Sequence, residues 1–220
     1  MFTVLLAIAV LFIRFDPDLA RLARSASADL RAAFAAITDF GKSDWILIPT
    51  GIIGLALAAL NLRRFARPVR ARLANLHGDM CFIFVTIAVT GTSISLIKNT
   101  IGRARPKHLD TYGAYAFDVA AFTSDFASFP SGHSTTFGAL CACLCLLAPR
   151  MMWLWLAFGI LGGVSRMMVN AHYASDVLAG LTAGALGTIL FARWLSNRNI
   201  LFRPVRAGHA LMPVRKRPWF

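Results

Sequence analysis

Long apolar blocks separated by short polar connections dominate the chain. Five stretches, residues 45–62, 80–97, 135–148, 151–169 and 177–195, are apolar over about the length of a bilayer crossing. A helix rises about 1.5 Å per residue and the hydrocarbon core is about 30 Å thick, so one crossing needs roughly 17–25 such residues. The stretch 135–148 is short by itself and gains length by extending back through Gly132 and His133. A sixth candidate, residues 2–15, is also short and holds Arg14, whose side chain would snorkel to the interface. Read instead as a cleaved leader, that start lacks a basic first region, and its one A-x-A site, Ala26-Ser27-Ala28, lies far beyond the apolar run. The pattern predicts an all-α, polytopic helical bundle of about six spans in one domain, residues 1–220.

Between the first two candidates the period changes. In segment 16–40, Leu19, Leu22, Ala23, Ala26, Leu30, Ala33, Phe34 and Ile37 recur at steps of three and four, while Arg21, Arg24, Ser25 and Arg31 avoid that stripe. This predicts an amphipathic helix, lying in the membrane plane or packed on neighbouring spans.

Composition agrees: 57% of residues are hydrophobic and 15% charged, too apolar for a disordered chain, and four cysteines are too few for a disulfide scaffold. Net charge is +13, and all ten acids are Asp. Nucleic-acid binders carry such charge on a polar, soluble frame, so no nucleic-acid partner is expected. The charge is instead localised. Arg63, Arg64, Arg67, Arg70 and Arg72 fill segment 61–78, and Arg193, Arg198, Arg203, Arg206, Arg215, Lys216 and Arg217 fill the segment after Leu190, with no acid in either. Basic segments stay cytoplasmic, so both chain ends should lie there, with 16–44, 98–131 and 170–176 facing outward.

Three polar segments at span ends interrupt the apolar pattern. Lys98 and Arg105, seven apart, would share one helix face, although Pro106 should stop any helix. Phe129-Pro130-Ser131-Gly132-His133-Ser134 opens an apolar helix, with Ser131 as a plausible N-cap and unpaired first-turn N–H groups able to bind an anion. Ser165-Arg166 is followed by His172 and Asp176, spaced i and i+4, where a carboxylate could accept the imidazole N–H. A six-span arrangement brings all three segments to the outer side. Three cations, two imidazoles and one carboxylate would gather there and repel one another unless an anion rich in oxygens sat among them. A phosphate fits, held by Arg forks and a Lys point charge.

Together, Lys98-x6-Arg105-Pro106, Pro130-Ser131-Gly132-His133 and Ser165-Arg166-x5-His172-x3-Asp176 resemble the three-part signature of the type 2 phosphatidic acid phosphatase superfamily, in its bacterial membrane lipid phosphatase branch. The soluble vanadium haloperoxidases and bacterial acid phosphatases share that signature. The resemblance implies that His172 attacks phosphorus and becomes a phosphohistidine, with Asp176 orienting it. It implies that His133 protonates the leaving oxygen and then activates water. Lys98, Arg105, Ser131, Gly132 and Arg166 would hold the phosphoryl oxygens. Neither metal nor other cofactor is implied.

The expected activity is hydrolysis of a lipid phosphomonoester or diphosphate at the outer face of a cell membrane. Undecaprenyl diphosphate, phosphatidylglycerophosphate, phosphatidic acid and lipid A phosphates are the open substrates, and the intact Pro130-Ser131-Gly132-His133 ranks 4′-dephosphorylation of lipid A low. Phosphoryl transfer to another lipid would use the same residues, and an anionic-lipid carrier would need only the cations. The aromatic loop 107–129 is either an interfacial anchor or a head-group selector. Cys141, Cys143 and Cys145 point to nearly opposite helix faces and should pack, as should the small face Gly180-x3-Gly184.

Overall fold

The computed structural model describes residues 1–204 and 211–214; Arg206, Arg215, Lys216 and Arg217 of the basic tail lie outside them. The chain starts with α1 (Phe2–Val10), passes through one π-helical turn, Leu11–Phe15, and continues into α2 (Asp16–Ser25). Then come α3 (Ala28–Asp39), α4 (Asp44–Ala59) and the 35-residue α5 (Arg67–Ile101). A short α6 (Leu109–Tyr112) sits in the loop before α7 (Gly132–Leu147), α8 (Met152–Met168) and α9 (Ala174–Asn197). A small hairpin closes the described chain, with β1 (Phe202–Pro204) antiparallel to β2 (Leu211–Pro213).

Two expectations change here. The amphipathic helix over 16–40 is two helices, because Ser27 is extended and its hydroxyl accepts the Leu30 N–H at 3.3 Å. A serine at that position caps a new helix more readily than it continues an old one. The basic segment 61–78 is not a loop throughout: α5 starts at Arg67, with Pro68 in its first turn, where proline's fixed φ suits a helix start.

Four helical stretches among the described residues are long and apolar enough to cross a membrane: Ala28–Ala59, Arg67–Ile101, Pro149–Met168 and Ala174–Asn197. The apolar Gly132–Leu147 is shorter and is mostly buried by its neighbours. Its contact with α9 is close because Gly180 and Gly184 face it. A Cβ at Gly184 would stand 2.1 Å from the Thr135 carbonyl oxygen, and one at Gly180 2.4 Å from that of Ser131. The core joins Phe82, Ile83 and Ile87 of α5 to Ala139, Leu140 and Cys143 of α7 and Ala192 and Leu195 of α9. Cys141, Cys143 and Cys145 are free thiols, with Cys143 fully buried in that core.

At one end of the bundle Phe82 packs edge-on against Phe202 of the hairpin, with ring centroids 4.8 Å apart. The basic first turns of α5 and the end of α9 lie there. The opposite end collects the C-termini of α5 and α8 and the N-termini of α7 and α9. Gly102 turns the chain there: its φ of 67° ends α5, and a Cβ would clash with the Asp118 carbonyl oxygen at 1.7 Å.

Candidate active site

Helix ends supply most of the site. Lys98 sits in the last turn of α5, His133 in the first turn of α7 and Arg166 in the last turn of α8. Arg105 arrives differently from the expected shared helix face. Because α5 stops at Ile101, Arg105 lies on extended chain four residues later, its N–H donating to the Asp125 carbonyl at 2.9 Å. It still joins the cluster: the charges of Lys98, Arg105 and Arg166 act on one another. Among the described residues none of these three cations makes an ion pair with a carboxylate. Arg166 Nη1 donates to Thr38 Oγ1 of α3 at 2.6 Å. The buried Nε–H groups of Arg105 and Arg166 have no acceptor. Buried guanidinium donors without acceptors are costly, and oxygens of an anion would satisfy them.

Ser131 is fully buried as the N-cap of α7, its hydroxyl oxygen accepting from the Ser134 N–H at 3.3 Å and the Ser134 hydroxyl at 2.9 Å. Its side chain is therefore occupied by capping. The N–H groups of Gly132 and His133, first in the helix, have no intrahelical acceptor and point beyond its N-terminus. An open cavity of about 510 Å³ starts there. Gly132, His133 and Lys98 line it, as do Ser43 and Asp44 at the start of α4 and Thr92 and Ser95 on α5.

His172 lies just outside the helices, its N–H donating to the Arg166 carbonyl at 3.3 Å, and is 4% exposed. The expected imidazole–Asp176 hydrogen bond is not made: Nδ1 is 4.0 Å from Asp176 Oδ2 and 2.8 Å from the Ser128 carbonyl oxygen. The physical reason is the start of α9. Tyr173 is its N-cap, so His172 has left the helix, and Asp176 turns back to accept the Tyr173 N–H at 2.9 Å. A carbonyl only accepts, so Nδ1 carries the proton and Nε2 presents its lone pair. Burial, then the charges of Arg105 and Arg166, hold this imidazole well below its ordinary range, so it is neutral at pH 7.

Behind it lies a network that joins Asp176 to residues the sequence reading did not assign to the site. Arg103, 0% exposed, bridges Asp176 at 2.5 Å and Asp16 at 2.8 Å. Its guanidinium also lies over the ring of Tyr173 at 4.1 Å. The Ser128 hydroxyl donates to Asp176 at 2.6 Å. An acid at the end of an apolar run, Asp16, was the available signal. Arg103 was hidden as a spacer inside Lys98-x6-Arg105. Of the aromatic loop, Tyr115 and Phe117 pack on Phe12, and the Tyr115 hydroxyl donates to the Ile13 carbonyl at 2.9 Å, so these two residues fasten the N-terminal helices.

Comparison with known proteins decides the family. The model of the PAP2 superfamily matches residues 79–200, which include all three signature segments. The chain belongs to the PAP2 superfamily. A lipid A 1-phosphatase of Rhizobium johnstonii is 35% identical over 212 residues, covering 96% of this chain and 86% of the relative. A second lipid A 1-phosphatase, from Rhizobium etli, is 34% identical over 96% of this chain and 90% of its own length. The crystal structure of a transmembrane PAP2-type phosphatidylglycerolphosphate phosphatase from Bacillus subtilis shares the fold, with a TM-score of 0.60 at 20% identity over 94% of this chain and 98% of that one. This PAP2 protein is therefore a multi-pass membrane protein and a lipid phosphatase, a phosphoric ester hydrolase. The family model begins at residue 79, so Asp16, Thr38, Ser43 and Asp44 come from chain outside it.

Proposed function

We propose that this PAP2 protein removes a phosphate from a lipid whose head group carries hydroxyls, as in the 1-phosphate of a lipid A-type glycolipid, through a phosphohistidine at His172. The observation that carries the chemistry is a neutral, buried His172 with Nε2 free beside Arg105 and Arg166, whose Nε–H groups lack acceptors. In the first step Nε2 attacks phosphorus, and the bond to the lipid oxygen breaks with its electron pair. His133, at the mouth of the cavity, gives that oxygen a proton, then takes one from the water that cleaves the N–P bond. Lys98, Arg105 and Arg166 hold the three phosphoryl oxygens, joined by the Gly132 N–H; Ser131 acts by fixing that turn. Asp176 counters the positive charge that the ring gains.

The substrate reading rests on the two lipid A 1-phosphatases that match nearly the whole chain, and on the cavity wall. Ser43, Asp44, Thr92 and Ser95 offer hydroxyl and carboxylate partners that a polyprenyl diphosphate would not use. The described arginines at the opposite end, in segment 61–78 and at the end of α9, support a site at the outer face and cytoplasmic termini by the positive-inside rule. Phosphate release from lipid A, phosphatidic acid, phosphatidylglycerophosphate and undecaprenyl diphosphate in mixed micelles tests this, with His172→Ala as control. Preferred release from lipid A, abolished in a folded His172→Ala, is expected. Undiminished activity in that variant would falsify the phosphohistidine, and preference for a lipid without hydroxyls would remove the substrate reading.

A further inference from the structure

The buried charges behind His172 do not balance in the usual pairwise way. Arg103 sits between two carboxylates, Asp16 and Asp176, all three fully buried. With both carboxylates ionised, the trio carries a net charge of −1. Asp16 reaches it from the first turn of α2, across 87 residues of sequence. It accepts the Ser175 N–H at 3.0 Å and the Ser175 hydroxyl at 2.5 Å, tying the first turn of α9 to the N-terminal region. The π turn immediately before Asp16 is a wide turn of the kind that re-aims a residue at a functional site.

Consider what each charge does to His172. Asp176 lies 4.0 Å from Nδ1 and would favour the positive ring that forms when Nε2 takes up a phosphoryl group. Arg103 is hydrogen-bonded to that same carboxylate, and alone it would cancel the effect, leaving a neutral pair beside a ring that must become a cation. Asp16 offsets Arg103. We infer that Asp16 and Arg103 are positioning residues for the phosphatase reaction: Arg103 fixes the Asp176 carboxylate, and Asp16 neutralises Arg103 so that a net negative charge still faces His172. This rests on the phosphohistidine reading above and adds to it a carboxylate, Asp16, drawn from outside the matched family segment.

The charge count makes the inference testable. Asp16→Asn keeps size and hydrogen bonding but brings the trio to zero. Asp16→Asn with Arg103→Gln returns it to −1. Wild type and both variants, purified in detergent, are assayed for phosphate release, for KM and for inhibition by orthovanadate, which mimics the five-coordinate phosphorus of the transition state. Expected for Asp16→Asn is a kcat lower by about 10- to 100-fold, with KM within about twofold and a vanadate Ki raised in step. The double variant should recover at least about fivefold of the lost kcat. A merely structural role predicts the reverse, the double variant falling below the single one, and that outcome overturns the inference, as does wild-type kcat in Asp16→Asn. Should Asp16→Asn fail to fold, the double variant carries the test: activity within about tenfold of wild type is expected, and background activity overturns the inference. Failure of the phosphatase reading appears in the wild-type protein, as no phosphate released and no vanadate bound; failure of this inference appears only in the variants.

Discussion

His172 Nδ1 stands 2.8 Å from the backbone carbonyl oxygen of Ser128, closer than to any oxygen of Asp176. The tautomer that leaves Nε2 free is thus set by a main-chain carbonyl and not by a carboxylate. Asp176 retains one task, to stabilise positive charge on the ring. Asp176→Asn should therefore lower kcat by about 100-fold with KM little changed, short of the roughly 10⁴-fold expected where the acid also sets the tautomer. Steady-state kinetics on the purified variant check this; a loss near 10⁴-fold would mean that the ring turns to Asp176 during the reaction.

The neutral state of His172 has a consequence in pH. Burial and two nearby guanidinium groups pull its protonation below the ordinary value of 6.5. A lowered imidazole pKa means that the nucleophile survives as pH falls and is lost only in more acid solution. In protein carrying ¹⁵N-histidine, with the signal assigned through His172→Ala, the ring should stay neutral at pH 6. Titration at 6.5 or above would contradict the buried placement.

Which of these features the chain discloses without coordinates depends on distance along it. Lys98, Arg105, His133, Arg166 and His172 were legible because each sits at a fixed offset from a helix end, and polar residues stand out against apolar spans. The pairing of Arg103 with Asp16 is a tertiary contact without periodicity, so Arg103 read as a spacer. The Ser128 carbonyl is backbone, which every residue has, and carries no side-chain signal. Segment 16–40 misled for another reason: its apolar stripe continues in phase across Ser27, while the cap that breaks the helix is one hydroxyl.

Arg103 is also a stability element. Its buried charge is shared by two carboxylates and lies over Tyr173, so truncation leaves two acids without a counter-charge. Arg103→Ala should cost about 3–5 kcal/mol of folding stability, the range for breaking a buried pair from one side. Thermal unfolding in detergent measures this, and an unchanged midpoint would show that water reaches the trio.

The α7–α9 contact should prove equally intolerant, for steric reasons. Gly184→Ala sets a methyl 2.1 Å from the Thr135 carbonyl oxygen and 2.7 Å from the Ala139 nitrogen, and backbone cannot rotate away as a side chain would. The helices must separate, at about 1–3 kcal/mol or more. Since α7 carries His133 and α9 carries Asp176, activity should fall together with the unfolding midpoint. Gly113→Ala is not a suitable control, because Gly113 has a φ of 77°; Gly91→Ala, with open space at the Cβ position, should leave the midpoint unchanged.

The cavity wall that runs along α5 from Lys98 offers the sharpest test of substrate choice. Thr92 and Ser95 lie on α5 about two turns and one turn before Lys98, and all three line one cavity with Asp44 at the start of α4. A phosphate held at Lys98 would place the first sugar of a glycolipid along this wall, within reach of hydroxyls and a carboxylate. The double substitution Thr92→Val and Ser95→Ala removes those partners without touching the phosphate site. Losing one or two hydrogen bonds to a substrate is worth about 1–3 kcal/mol, so kcat/KM for a lipid A 1-phosphate should fall by about 10- to 100-fold. Phosphatidic acid has no head group beyond its phosphate, and its hydrolysis should be unchanged. Equal losses on both lipids would mean that the wall supports the helices and does not read the head group.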